Sequence, residues 1–261
     1  MKNCLVTKLN AVVNNPDLPV LETMQQFTLD AITASGNASM TDAQKMALNH
    51  FFYQIGAIEN TALWQKIQAL ALPMICGDNL TYACVNYVNN VNPGAATGSF
   101  NGKHGFVGAS QKVSAYTGSA NGLCLLYVST NDTKPTANFT CAGALDTNNS
   151  GYMSARLNAD STSGFNWRGL DVRFSASEGV NIGVCAISTP TTTTMHSLLN
   201  GEINTQSASY TMGEGTISNK NVIIGGDSTY ACGVSMFAIG LTNDEAIKLL
   251  KASMNLREYF I

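Results

Sequence analysis

The chain has 261 residues, 45% of them hydrophobic and only 12% charged, with 14 Lys and Arg against 17 Asp and Glu and a formal net charge of -3. Such a composition buries a core instead of staying disordered, and it lacks the cationic surplus that neutralises a phosphate backbone, so nucleic acid is excluded as a partner. The longest apolar stretches, such as residues 67–74, fall far short of the roughly 20 residues that cross a bilayer, and no membrane span is expected.

The first seventy-odd residues carry a helical period. Leu5, Leu9, Val12 and Val13 make one stripe, which stops at the turn-forming Asn14-Asn15-Pro16-Asp17-Leu18-Pro19. Lys8, Asn14, Asn15 and Asp17 also interrupt any leader-like apolar run, so no secretory signal is expected. A second stripe follows in Leu21, Met24, Phe27, Leu29 and Ile32. Thr41 and Gln44 are spaced as a capping box, opening a helix with Met46, Ala47, His50, Phe51 and Ile55. Asn60 is expected to cap a last short helix holding Leu63, Trp64, Ile67 and Leu70, which Pro73 limits. These segments predict a small helical unit over residues 1–75.

From about residue 81 the period changes to two. Short alternating runs recur at 81–88, 123–129, 139–145, 152–157, 172–174, 180–187, 197–203, 222–224 and 234–239. Turn-like pieces separate them, including Asn92-Pro93-Gly94, Asn148-Asn149-Ser150-Gly151 and Gly225-Gly226-Asp227. The fold class expected is α+β: a helical segment followed by an antiparallel β-sandwich or jelly roll over 76–261, closed by a helix at 243–254 whose Ala246, Leu249 and Leu250 share a face. The seven cysteines show no metal or redox spacing; Cys124 and Cys185 sit inside apolar runs, so buried, reduced thiols and a reducing cytoplasm are expected.

The C-terminal order Ser197-Leu198-Leu199-Asn200-Gly201, then Val222-Ile223-Ile224-Gly225-Gly226, then 233–240, then Leu241-Thr242-Asn243-Asp244-Glu245 resembles the last strands of concanavalin A-like lectin/glucanase and laminin-G-like sandwiches. Asn200-Gly201 suits a tight hairpin, and Thr242 or Asn243 suits a helix N-cap with Asp244 and Glu245 at its positive end. The resemblance is strong over 195–255. The whole chain, with its helical head, Asn/Thr/Ser-rich sandwich and free cysteines, is also similar in style to virion proteins of tailed bacteriophages, such as head fibres, decoration proteins and tail-fibre modules.

The glucanases of that superfamily carry paired acids at even spacing on one strand; here Glu178, Glu202 and Glu214 stand alone, so no enzyme is expected. His50, His104 and His196 form no nucleophile pattern in the sequence and read as packed, loop and strand-edge residues. The superfamily's calcium sites make calcium a candidate cofactor through Asp132, Asp146, Asp160 or Asp227, although no ligand spacing emerges and each also suits a turn. Trp167, Tyr210 and Tyr230 are the candidate sugar-stacking residues; core packing competes for Trp167, whereas Tyr210 and Tyr230, beside Ser and Gly, are expected to be exposed. The function expected is a virion structural protein, docked to other virion proteins or trimerised through a spare apolar stripe on its N-terminal helices and projecting the sandwich outward. The alternative is an adhesin that binds a bacterial surface glycan, and an unconventional glycan hydrolase comes third.

Overall fold

The computed structural model describes residues 23–109, 111–119, 122–133, 139–145, 153–157, 163–167, 170–174, 181–189, 191–199, 202–209, 216–224 and 227–261. Among the described residues three helices come first: α1 (Gln26–Ser35), α2 (Asp42–Gln54) and α3 (Ala62–Gln65). The strands are β1 (Ile67–Ala71), β2 (Gly98–Phe100), β3 (Phe106–Gly108), β4 (Gln111–Ser119), β5 (Leu123–Ser129), β6 (Phe139–Leu145), β7 (Met153–Leu157), β8 (Ser163–Trp167), β9 (Leu170–Phe174), β10 (Asn181–Ser188), β11 (Thr192–Leu199), β12 (Glu202–Ser209), β13 (Thr216–Ile224) and β14 (Asp227–Ile239). Helix α4 (Asn243–Arg257) closes the chain.

The strands form two antiparallel sheets, one in the order β12-β11-β10-β5-β14-β3-β2 with β1 also on β14, the other β4-β13-β6-β7-β8-β9. Burial alternates along the large sheet and fills two cores. Cys124, Leu126 and Val128 of β5 face the helices with Phe51, Phe52, Leu249 and Leu250, whereas Leu123, Leu125 and Tyr127 face the second sheet with Val222 and Ile224. The molecule is therefore a helical layer on a two-sheet sandwich, and β5, covered on both sides, is buried along all seven of its residues. On β14 the alternation inverts at Gly233: Cys232 faces the second sheet, but so does Phe237, because the register slips between Cys232 and Val234. A side chain at Gly233 would sit 2.8 Å from the Thr130 methyl carbon, so the slip needs glycine.

The helices form where capping and periodicity place them. Thr41 and Gln44 complete a capping box on α2, as Thr242 and Glu245 do on α4. Phe27 meets Phe52 and Trp64 edge-on at 4.9 and 5.3 Å, and buried Asn49 ties α2 to α1 by accepting from the Thr28 hydroxyl at 2.7 Å. Strands β5 and β6 match the expected runs, and β7, β9 and β10 match them to within a residue or two.

Several expectations need correction. Residues 67–70 are not helix: Thr61, not Asn60, caps the four-residue α3, and 67–71 leave it to pair antiparallel with β14. Capturing an edge of a buried strand satisfies more backbone groups there than one further helical turn would. Strand β1 thereby joins the large sheet through β14, and buried residues from before and after position 75 pack in one core. Residues 81–88 are turns with a single bridge, Asn86 to Val91, because Asn86 and Asn79 bind nearby backbone amides through their side chains. The run 197–203 is the end of β11 and the start of β12, Leu199 opposite Glu202, flanking Asn200 and Gly201, which lie outside the described residues. Leu29 is 43% exposed and off the buried face of α1, which holds Thr28, Ala31 and Ser35. The stripe centred on Leu5 also lies outside the described residues.

Candidate functional site

The sandwich aromatics do not assemble a site among the described residues. Tyr230 is 1% exposed, packed in the core between the sheets, so its expected exposure is corrected. The strand β14 it belongs to is central, and a small flanking Ser says nothing of that. Trp167 ends β8 opposite Met153 and Leu170 in the backbone ladder. Tyr210, Glu178, Glu214, Asp146 and Asp160 lie outside the described residues. Glu202 is exposed at the start of the edge strand β12 and is the one acid on that strand.

The expected calcium ligand Asp132 is committed elsewhere. Its carboxylate accepts from the Arg257 guanidinium at 2.5 Å and pairs with Lys103. Arg257, 3% exposed, also donates to the carbonyls of Ser129, Thr130 and Asn131. These cations leave Asp132 little field for a divalent ion. Asp227 lies on β14 opposite Gly108, and no cluster of metal-ligating side chains occurs among the described residues.

At the same end His104 Nδ1 lies 2.9 Å from Asp78 Oδ1, with Cys76 two residues away. Cysteine, histidine and acid are the residue types of a thiol hydrolase, but the chemistry is wrong. The Cys76 thiol is buried and donates to the Pro73 carbonyl, and burial pushes its pKa up to about 12. Too little thiolate exists at neutral pH for attack. His196, expected at an exposed strand edge, is instead 0% exposed: Nδ1 is 2.8 Å from the Thr205 hydroxyl and Nε2 is 3.3 Å from Asn243 Oδ1, so it pins the β11–β12 hairpin to the start of α4. His50 is half-buried on α2.

What the described residues do assemble is a groove in the helical layer, between the end of α2 with its following loop and the outer stripe of α4, with a volume of about 580 Å³. Tyr53, Gln54, Gly56, Glu59 and Thr61 line one side; Asp244, Ile247, Lys248, Lys251, Ala252 and Asn255 line the other. The α4 residues follow i, i+3, i+4, i+7, i+8 and i+11, so one stripe of the helix faces the groove while Ala246, Leu249, Leu250 and Leu256 hold another stripe in the core.

The loop wall is rigid. Ala57 donates to the Phe52 carbonyl at 2.8 Å and Thr61 to the Gly56 carbonyl at 3.0 Å. Gly56 has φ +80° and would overlap the Thr61 hydroxyl if it carried a Cβ. Among the described residues none of Glu59, Asp244, Lys248 or Lys251 forms an ion pair, so their charges stay available to a ligand. Two carboxylates, two ammoniums, two carboxamides and a phenol around one groove offer donors and acceptors in about equal number, with net charge zero.

No family model and no curated protein sequence matches the chain. Among solved structures it is similar to the carbohydrate-binding module, CBM40, of a Ruminococcus gnavus IT-sialidase bound to alpha2,6 sialyllactose, at 12% identity and a TM-score of 0.35, over 55% of this chain and 97% of that one. It is also similar to a Trypanosoma rangeli sialidase in complex with sialic acid, at 11% identity and a TM-score of 0.47, over 73% of this chain and 34% of that one. A Botulinum neurotoxin serotype D binding domain matches at 12% identity and 0.46, over 73% and 51%.

Sequence reasoning missed the groove because it searched the sandwich. Asp244, Lys248, Lys251 and Asn255 look in sequence like the solvated face of a terminal helix, and the one readable signal was Gly56 after an apolar run, close to Glu59 and Thr61.

Proposed function

We propose that the protein is a non-catalytic, carbohydrate-binding sandwich module that takes its glycan in the groove between α2 and α4. The observation that carries this reading is the lining itself: an aromatic ring, Tyr53, beside opposed carboxylate, ammonium and carboxamide groups on rigid walls. A sugar needs this combination. Its hydroxyls donate to Glu59 and Asp244 and accept from Lys248 and Lys251, Gln54 and Asn255 do both, and its C–H face lies on a ring. The volume fits the usual range for small-ligand sites, about 300–1,000 Å³. Both acids are exposed at the rim, with no apolar enclosure of the kind that tunes a catalytic acid.

The described part of the N-terminal helices lends the virion reading no support; the stripe of Leu5, Leu9, Val12 and Val13 lies outside the described residues. Among residues 23–65 most apolar side chains pack into the core shared with the sheet and α4, and Leu29 is the one large hydrophobic residue there that is exposed.

Glycan-array screening followed by calorimetric titration tests the proposal. The native chain is expected to bind a discrete set of glycans without releasing reducing sugar, and Tyr53→Ala or the pair Lys248→Ala and Lys251→Ala to weaken binding at least tenfold while the melting temperature holds. Native-like affinity in all these variants, or steady hydrolysis of the ligand, overturns it.

A further inference from the structure

Cys124 on β5 and Cys185 on β10 bring their sulfur atoms to 3.1 Å. The strands pair antiparallel, Cys124 opposite Ile187 and Leu126 opposite Cys185, so the two side chains meet along the diagonal on the face covered by the helices. They are 1% and 0% exposed. A thiol is a weak donor and a weak acceptor, so in reduced form the pair offers each sulfur one feeble hydrogen bond in an apolar core. A covalent bond needs the sulfurs only about 1 Å closer. Cys76, Cys84 and Cys232 stand apart from this pair: Cys76 donates to the Pro73 carbonyl, and all three lie in the other core, between the sheets.

We propose that Cys124 and Cys185 are an oxidisable pair that closes to an intramolecular disulfide when the chain folds in the presence of a small-molecule disulfide such as oxidised glutathione. One cysteine thiolate attacks a glutathione sulfur, forming a mixed disulfide and expelling one glutathione thiolate. The second cysteine thiolate attacks the protein sulfur of that mixed disulfide, forming the Cys124–Cys185 bond and expelling the second glutathione. Two protein thiols are oxidised, one glutathione disulfide is reduced to two thiols, and the two protons leave with them.

Burial sets the order of events. It pushes the Cys124 thiol well up from its usual range, so Cys124 is almost never a thiolate in the folded core, and the buried pair admits no oxidant. Exchange therefore occurs before the helical layer closes over β5 and β10. The bond would span a sequence separation of 61 and staple the base of the excursion that carries β6 to β9.

The test unfolds and reduces the full chain, then refolds it with mixed reduced and oxidised glutathione or with dithiothreitol. Free thiols are blocked under denaturing conditions, and peptides are mapped by mass spectrometry. The expected product from glutathione is two hydrogens lighter, contains a linked Cys124–Cys185 peptide, and melts roughly 10 °C above the dithiothreitol product. The Cys124→Ala and Cys185→Ala chains should lack both the linked peptide and the gain in melting temperature. Should either variant fail to fold, the peptide map of the unmutated chain decides alone. Recovery of both cysteines blocked, or linked to other partners, overturns the proposal.

Discussion

The Nε of Arg257 donates to the carbonyl of Ser129 at 2.6 Å, joining the last turn of the C-terminal helix to the end of the central strand β5. The same guanidinium reaches the carbonyls of Thr130 and Asn131 and the Asp132 carboxylate, so one buried side chain satisfies three backbone acceptors where the strand leaves the sheet. Replacing Arg257 by Leu strands those acceptors and should lower stability by about 3–5 kcal/mol in urea unfolding. Asp132 is half exposed, so Asp132→Asn should cost less than about 1 kcal/mol. Equal costs for the two variants would show that the ion pair, and not the carbonyl contacts, holds the junction.

The helices and the sheets share a core, and this predicts a single unfolding event. Leu250 of α4 and Leu126 of β5 are both fully buried in the core beneath the helical layer. Leu250→Ala and Leu126→Ala should each cost about 2–5 kcal/mol and shift the same calorimetric transition. A fragment beginning at residue 76 lacks β1 and helices α1 to α3, which cover part of the large sheet, and should fail to fold. Two separate transitions, or a stable fragment, would instead support two units divided near residue 75.

Stability should fall on mild acidification. Burial holds His196 below the usual histidine range, with the Asn243 contact pulling weakly the other way, and burial also lowers His50. The native state then binds fewer protons than the unfolded chain, so stability is full above the unfolded value of about 6.5 and is lost as pH drops below it. Glu245 extends the loss to lower pH: burial raises its pKa, but the Lys66 ammonium and the Thr242 amide outweigh that and hold it below the usual range. The urea midpoint should drop between pH 7 and 5.5, and His196→Gln should remove part of that slope. A slope unchanged in the variant would assign the acid sensitivity to other groups.

Much of the architecture was legible in the sequence. The capping boxes at Thr41 and Thr242 and the strand β5 needed only local pattern, because a cap or a strand buried on both faces writes its own signature. Residues 67–71 and β4 were not legible, since what decides them is a partner strand far along the chain: β1 pairs with β14, and β4 with β13. The burial of Tyr230 and His196 was hidden for the same reason. The groove was the least readable feature, because its two walls lie almost two hundred residues apart and each alone looks like an ordinary wet surface.

Gly56 links that groove to stability. With φ +80° and the Thr61 hydroxyl where a Cβ would go, Gly56→Ala should cost about 1–3 kcal/mol and move the loop that carries Glu59. Glycan affinity should fall in the same variant under conditions where it is still folded. Loss of stability with affinity intact would separate the loop from the site.

Chemical-shift mapping of the isotope-labelled chain, titrated with the best glycan from the array, bears most directly on where recognition happens. Perturbations should concentrate on Tyr53, Gln54, Glu59, Lys248, Lys251 and Asn255, and saturate with the affinity found by calorimetry. Saturating perturbations confined to the strands of the sandwich, with the groove residues silent, would contradict the assignment of the site.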